Sequence, residues 1–137
     1  EGRKNIAVDA PVSNTDIYPT SLSMLGFEVP DRIVLEGRDL SDLLKGGEFE
    51  NDKPVFAQYN MENFGIAHLR MVRFKNWKLI KRFGQGADAE LIDELYDVEN
   101  DPGEEENLIS VSEHQKTRAE LEKMLHDWQV SINDPVL

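Results

Sequence analysis

The residues most capable of chemistry by type and spacing are six cations crowded into one short stretch: Arg70, Arg73, Lys75, Lys78, Lys81 and Arg82. They form a local positive strip in a chain of formal net charge −12. Planar guanidinium forks hold sulfate or carboxylate groups through paired N–H donors, so one reading is capture of an anionic ligand. The other is that these side chains pair with Glu94, Asp97, Glu104, Glu105 and Glu106 or solvate a sheet. A charge run is usually a wet face, so pairing is the expected outcome. His68 lies beside a loop spanning residues 60–65, where it could line a pocket as a hydrogen-bond donor. His114 and His126 fall on a helix and read as surface groups. Asp16 follows Ser13 at the S-x-x-D spacing of a helix capping box, so its carboxylate reads as a cap. The acidic stretch after Asp97 fails as a calcium loop. Pro102 stands where a glycine is needed, and Leu108 where the bidentate glutamate belongs. With no cysteine in the sequence there is no disulfide, thiolate metal site or cysteine nucleophile.

These groups must be held by a small set of elements. Ser13 to Asp16 predicts a tight turn, then a helix from about Tyr18 with Pro19 in its first turn and Gly26 as its stop. Tyr18, Leu22 and Leu25 recur at i, i+4 and i+7 and predict its buried face. Leu40, Leu43 and Leu44 would pack one further helical turn ended by Gly46-Gly47. The polar run from Glu48 to Lys53 is the expected domain boundary. From Pro54 the period becomes strand-like: Pro54 to Tyr59 is one strand, and residues 67–74 and 77–83 form a hairpin turning at Lys75-Asn76. Trp77, Leu79, Lys81 and Phe83 share one face. Leu95 and Tyr96 sit on a short strand, and Asp101-Pro102-Gly103 makes a turn in which Gly103 can take φ > 0. A helix from about Ser112 to Ser131, capped by Ser112 with Gln115, carries the stripe Leu121, Leu125, Trp128 and Ile132. The strands are its partner.

At 137 residues the chain suits one domain with a sizeable core. A −12 charge argues against nucleic acid, because phosphate binding needs a dominant basic surface. No apolar run reaches the ~18 residues of a membrane helix, so no membrane partner is expected. No Asn-x-Ser/Thr acceptor occurs, which points away from a glycosylated eukaryotic source and towards a bacterial one.

Three stretches also carry a resemblance. Glu94-Leu-Tyr-Asp, the following Glu-Asn-Asp-Pro-Gly-Glu run and Asn107-Leu108 are similar to the C-terminal signature of the sulfatases, the sulfuric ester hydrolases of the alkaline-phosphatase-like superfamily. Val12-Ser-Asn-Thr-Asp-Ile-Tyr-Pro-Thr-Ser-Leu22 resembles the sulfatase segment Val-Ser-x-x-Asp-x-x-Pro-Thr-Leu. Arg70-Met-Val-Arg-Phe-Lys-Asn-Trp-Lys-Leu-Ile80 is similar to the pattern Arg-x-Val-Arg-x-x-x-x-Lys-Leu-Ile. The element from Leu35 to Gly47 matches the family more loosely.

The resemblance implies an α+β fold in which residues 48–137 form the small C-terminal domain, an antiparallel β-sheet of about four strands packed by one long C-terminal α-helix. Residues 1–47 would be an N-terminal helical strip of the large α/β catalytic domain. Because loops of that small domain can reach the family's substrate cleft, the resemblance makes Asn60, Asn63, His68 and Arg70 candidate substrate contacts. The family's chemistry rests on a Cys/Ser-x-Pro-x-Arg motif converted to formylglycine and on a calcium ion. Neither that motif nor the calcium ligands can be placed in this sequence, so no catalytic or metal residue is expected in it. The chain reads as an inactive C-terminal piece of a sulfatase acting on a sulfated sugar or aryl sulfate, with the catalytic domain as missing partner and self-association through the exposed strip. A phosphonate or phosphate monoesterase tail of the same superfamily, and a non-enzymatic module binding anionic glycans, are the alternatives.

Overall fold

The computed structural model describes residues 7, 10–47, 53–61, 67–83 and 92–137. The chain divides into two units, Glu1–Lys53 and Pro54–Leu137.

In the first unit a 3₁₀ turn, Asn14–Asp16, runs into α1, Ile17–Met24, and a single helical turn, α2, spans Ser41–Leu44. The capping box forms as its spacing predicts. Ser13 Oγ accepts from the Thr15 N–H at 3.3 Å, and the Ser13 N–H donates to Asp16 Oδ2 at 2.9 Å. Gly26 ends α1 at φ +75°, with the Phe27 N–H donating to the Leu22 carbonyl at 2.9 Å. The expected buried face is overturned. Tyr18 and Leu25 are exposed and only Leu22 is half-buried, while Asp16, Pro19 and Thr20 turn inward. The reason is polar: Thr20 Oγ1 donates to the Asp16 carbonyl and accepts from the Leu40 N–H, tying α1 to the segment before α2. Gly37 lies so close to the Thr15 carbonyl that a Cβ there would stand 2.0 Å from its oxygen. In α2, Leu40 and Leu43 are half-buried, but Leu44 is exposed and Ser41 takes the buried place.

The second unit is a four-stranded antiparallel sheet in the order β1 (Val55–Met61), β2 (Ala67–Phe74), β3 (Trp77–Phe83) and β4 (Glu94–Asp97). The long helix α3, Gln115–Ser131, packs across it. Strand alternation puts Val72, Leu79 and Leu95 on the helix-bearing face, where they bury completely against Leu121 and Leu125. Each contributes roughly 1.5–3 kcal/mol by leaving water. Trp128 stacks on Phe56 with ring centroids 4.9 Å apart and planes 2° from parallel. The sheet, the hairpin turn at Lys75-Asn76 and the clamp of helix on sheet stand as the sequence predicts.

Four local readings change. β1 continues through Met61, so Asn60 is a strand residue and not part of a loop. Ser112 does not cap the helix: it lies inside a 3₁₀ turn, Ser112–His114, that feeds α3 with no side-chain cap. In the acidic turn the positive φ falls on Glu104, at +54°, and not on Gly103. Asp101 explains this, since its carboxylate accepts the Glu105 and Glu106 N–H groups while Lys78 Nζ grips the Glu104 carboxylate at 2.6 and 2.8 Å. The helix stripe also includes Gln129, which is buried, where spacing alone had placed only apolar side chains.

Candidate functional site

The chemistry of the second unit gathers at one end of the β1–β2 ladder. Asn60 lies directly across from His68, and Gln58 across from Arg70, so Arg70 meets Asn60 on the diagonal of the same sheet face. Arg70 is fully buried. Its Nε donates to Asp134 Oδ2 at 2.5 Å and its Nη2 to Asp134 Oδ1 at 2.7 Å, a bidentate fork. Nη1 donates to Asn60 Oδ1 at 2.8 Å and to the Leu69 carbonyl at 2.9 Å. His68 Nδ1 lies 3.1 Å from the same Asn60 oxygen.

Asp134 arrives there through the end of α3. Asn133 takes φ +51°, the Asn133 N–H donates to Val130 O, and the Asp134 N–H reaches back to Gln129 O at 2.9 Å. This is a Schellman termination with asparagine in the left-handed place usually given to glycine. It turns the Asp134 carboxylate back under the helix, where Gln129 Nε2 also donates to it at 3.0 Å. The Arg70 guanidinium, with help from Gln129 and the Val136 N–H and against the opposing push of burial, holds the Asp134 carboxyl down at about 2. Sequence reasoning missed Asp134 and Gln129. The readable signal was Asn133-Asp134-Pro135 just past the helix, which marks a helix stop and so fixes where that carboxylate must point.

Of the expected contacts, Asn60 is exposed, His68 half-buried and Arg70 committed inward. Asn63 lies outside the described residues. The cation strip does not exist as one surface, because alternation splits it. Arg70 and Lys81 are on the helix face, and Arg73, Lys78 and Arg82 on the other. Lys78 pairs with Glu104, Lys81 with Asp93 and Glu122, and Arg82 with Glu94. Pairing with acids therefore wins over a free anion-binding strip at these positions. His114 packs its ring against Trp77 with centroids 5.0 Å apart, and His126 is exposed.

The first unit has its own buried ion pair. Asp16 accepts from the Arg38 backbone N–H at 2.7 Å and from Arg38 Nη2 at 2.9 Å, and the same Nη2 reaches the Pro11 carbonyl at 2.8 Å. Burial raises the Asp16 carboxyl, but the Arg38 and Ser13 hydrogen bonds together outweigh it and the net shift is downward. A carboxylate so fully occupied caps and cross-links. Among the described residues no group of three or more His, Cys, Asp or Glu side chains comes together in a way that could hold a metal ion.

The comparisons with known proteins agree in direction. Residues 2–131 match the family model described as N-sulphoglucosamine sulphohydrolase, C-terminal. An ulvan-active sulfatase of Formosa agariphila is 28% identical over 88% of this chain and 29% of its own length. An N-acetylglucosamine-6-O-sulfatase of Bacteroides thetaiotaomicron is 30% identical over 88% of this chain and 22% of its own. The crystal structure of a putative sulfatase from Bacteroides thetaiotaomicron superposes with a TM-score of 0.74 at 27% identity, covering 87% of this chain and 25% of that one. The chain thus spans less than a third of the curated relatives it matches. By the family match over residues 2–131, and by a fold shared with sulfatase structures, the chain belongs to the family of sulfatase C-terminal regions.

Proposed function

We propose that this chain is the non-catalytic C-terminal part of a sulfatase that hydrolyses sulfate esters of a sulfated sugar or polysaccharide. The carrying observation is the family match along residues 2–131, made by a sequence with no cysteine and no Ser-x-Pro-x-Arg run. Formylglycine and calcium are the chemistry the family resemblance implies for the whole enzyme. The sequence has no cysteine and no Ser-x-Pro-x-Arg run to yield formylglycine, and among the described residues no acidic cluster fits calcium, so both groups are assigned to the missing catalytic domain. The chain's own contribution is to support the fold and to border the cleft: Asn60 and His68 face substrate, and Arg70 positions both.

Two further observations support the reading. Ile17, Tyr18, Leu25, Phe27 and Val34 of the first unit are all at least 61% exposed, an apolar set that a larger catalytic domain would cover. The relatives named as an ulvan-active sulfatase and an N-acetylglucosamine-6-O-sulfatase, each matched over 88% of this chain, support a carbohydrate sulfate as the substrate class. The test is sulfate release by the whole protein carrying this C-terminal region, assayed on sulfated polysaccharide and on phosphate and phosphonate monoesters. Release of sulfate from the polysaccharide supports the proposal. Turnover of the phosphorus esters alone would replace it with the monoesterase reading.

A further inference from the structure

Asn60 Oδ1 accepts from Arg70 Nη1 at 2.8 Å, and a guanidinium N–H can only donate. That fixes the Asn60 amide with its oxygen towards Arg70. The same oxygen lies 3.1 Å from His68 Nδ1 and has no proton to give, so the proton of that hydrogen bond must sit on Nδ1. Neutral His68 therefore keeps its hydrogen on Nδ1 and leaves a bare lone pair on Nε2. Arg70 cannot swing away to release Asn60, because Nε and Nη2 are forked onto the buried Asp134 carboxylate and Nη1 also holds the Leu69 carbonyl. Orientation thus passes from Asp134, anchored by the Schellman turn at the end of α3, through Arg70 and Asn60 to the imidazole.

We propose that this relay presents His68 Nε2 as a hydrogen-bond acceptor for an unsubstituted sugar hydroxyl, and that it disfavours a sulfate group at the same position. The proposal rests on the reading of Asn60 and His68 as cleft residues, and it reverses the donor role that sequence alone suggested for His68. A sulfate oxygen has only lone pairs to offer, so it would face the bare Nε2 with nothing between them to share. A hydroxyl supplies the proton. The polarity of this one nitrogen therefore discriminates a free position on the sugar ring from a sulfated one.

The test is long-range ¹H–¹⁵N correlation on the ¹⁵N-labelled 137-residue chain, at a pH where the His68 ring is neutral. The expected spectrum has a protonated Nδ1 and an unprotonated Nε2. In Asn60→Ala the fixed tautomer is lost and the two nitrogens shift towards a mixture, whereas Asn60→Asp keeps an oxygen for both Arg70 and His68 and restores the Nδ1–H form. Asn60 is exposed on an edge strand, so these variants test the relay without opening the core. A wild-type spectrum with the proton on Nε2, or one unchanged in Asn60→Ala, overturns the relay. Titration of the whole protein carrying this chain, with its histidines ¹⁵N-labelled, with methyl β-D-glucopyranoside and with inorganic sulfate then reads the second half. A shift of the Nε2 resonance with the glycoside and none with sulfate is expected. A shift with sulfate, or no shift with the glycoside, overturns the hydroxyl assignment. These outcomes leave the sulfatase reading standing, since that is decided by turnover.

Discussion

Arg70 and Asp134 stand 64 positions apart in sequence and close on each other as a fully buried, bidentate ion pair. The pair binds the middle of β2 to the turn that ends α3, at the place where the helix would otherwise be held only by its apolar stripe. Breaking such a pair by removing one partner strands a charge away from water, which typically costs about 3–5 kcal/mol. Asp134→Asn should therefore lower the unfolding free energy of the second unit, measured by urea denaturation, by that much. The double variant Arg70→Met/Asp134→Leu should recover most of the loss, because no charge is then left buried. A single variant as stable as the parent would contradict the burial of the pair.

The same pair gives an acid dependence with a defined sign. The folded carboxyl of Asp134 titrates at about 2 against an ordinary value of 3.8, so protons favour the unfolded chain. At 1.36 kcal/mol per unit the difference is about 2 kcal/mol of stability. It is fully present above about pH 4 and is lost as pH falls through 2. Unfolding free energies measured from pH 7 down to 2 should show that drop in the parent, and a smaller one in Arg70→Met/Asp134→Leu. Equal drops in both would assign the acid sensitivity to other carboxylates.

Trp128 is the aromatic anchor of the clamp, stacked flat on Phe56 from the edge strand. Trp128→Ala removes that stack and opens a void between α3 and the sheet, at a cost of about 3 kcal/mol. A thermal midpoint unchanged in this variant would contradict the helix-on-sheet arrangement.

The apolar residues of the first unit make a solution prediction. Leu25 is 71% and Phe27 63% exposed, beside Tyr18 at 61%. The chain alone should self-associate at micromolar concentration, and Leu25→Lys with Phe27→Glu should shift it towards monomer. Sedimentation velocity reads both. A parent chain that stays monomeric, with no uptake of an apolar dye, would remove the argument that this face is meant to be covered.

Much of the second unit was legible because its pattern is strong. The β2–β3 hairpin alternates over long runs, and Leu121 and Leu125 sit at helical spacing, so period alone predicts sheet, helix and the faces they share. The site was less legible for a different reason. Alternation already implied that Arg70 and Arg73 face opposite sides, yet nothing local announces that Arg70 is buried, since its partner is 64 residues away. The first unit misled because its apolar residues do not face its interior. There Asp16 and Thr20 are buried and held by Arg38 and by the Asp16 backbone, and Ser41 by the Ser23 hydroxyl and the Asp39 carboxylate, while Tyr18 and Leu25 look outward. Periodicity predicts which side of a helix is apolar, and it cannot say whether the surface it meets lies in the same chain.

The central claim is that this chain supports a sulfatase without performing its chemistry. Its most direct test is sulfate release from a sulfated polysaccharide by the purified 137-residue chain, supplied with calcium, beside the whole protein we propose it belongs to. No release by the chain alone, with release by the whole protein, is the predicted result. Sulfate released by the chain alone would contradict the account.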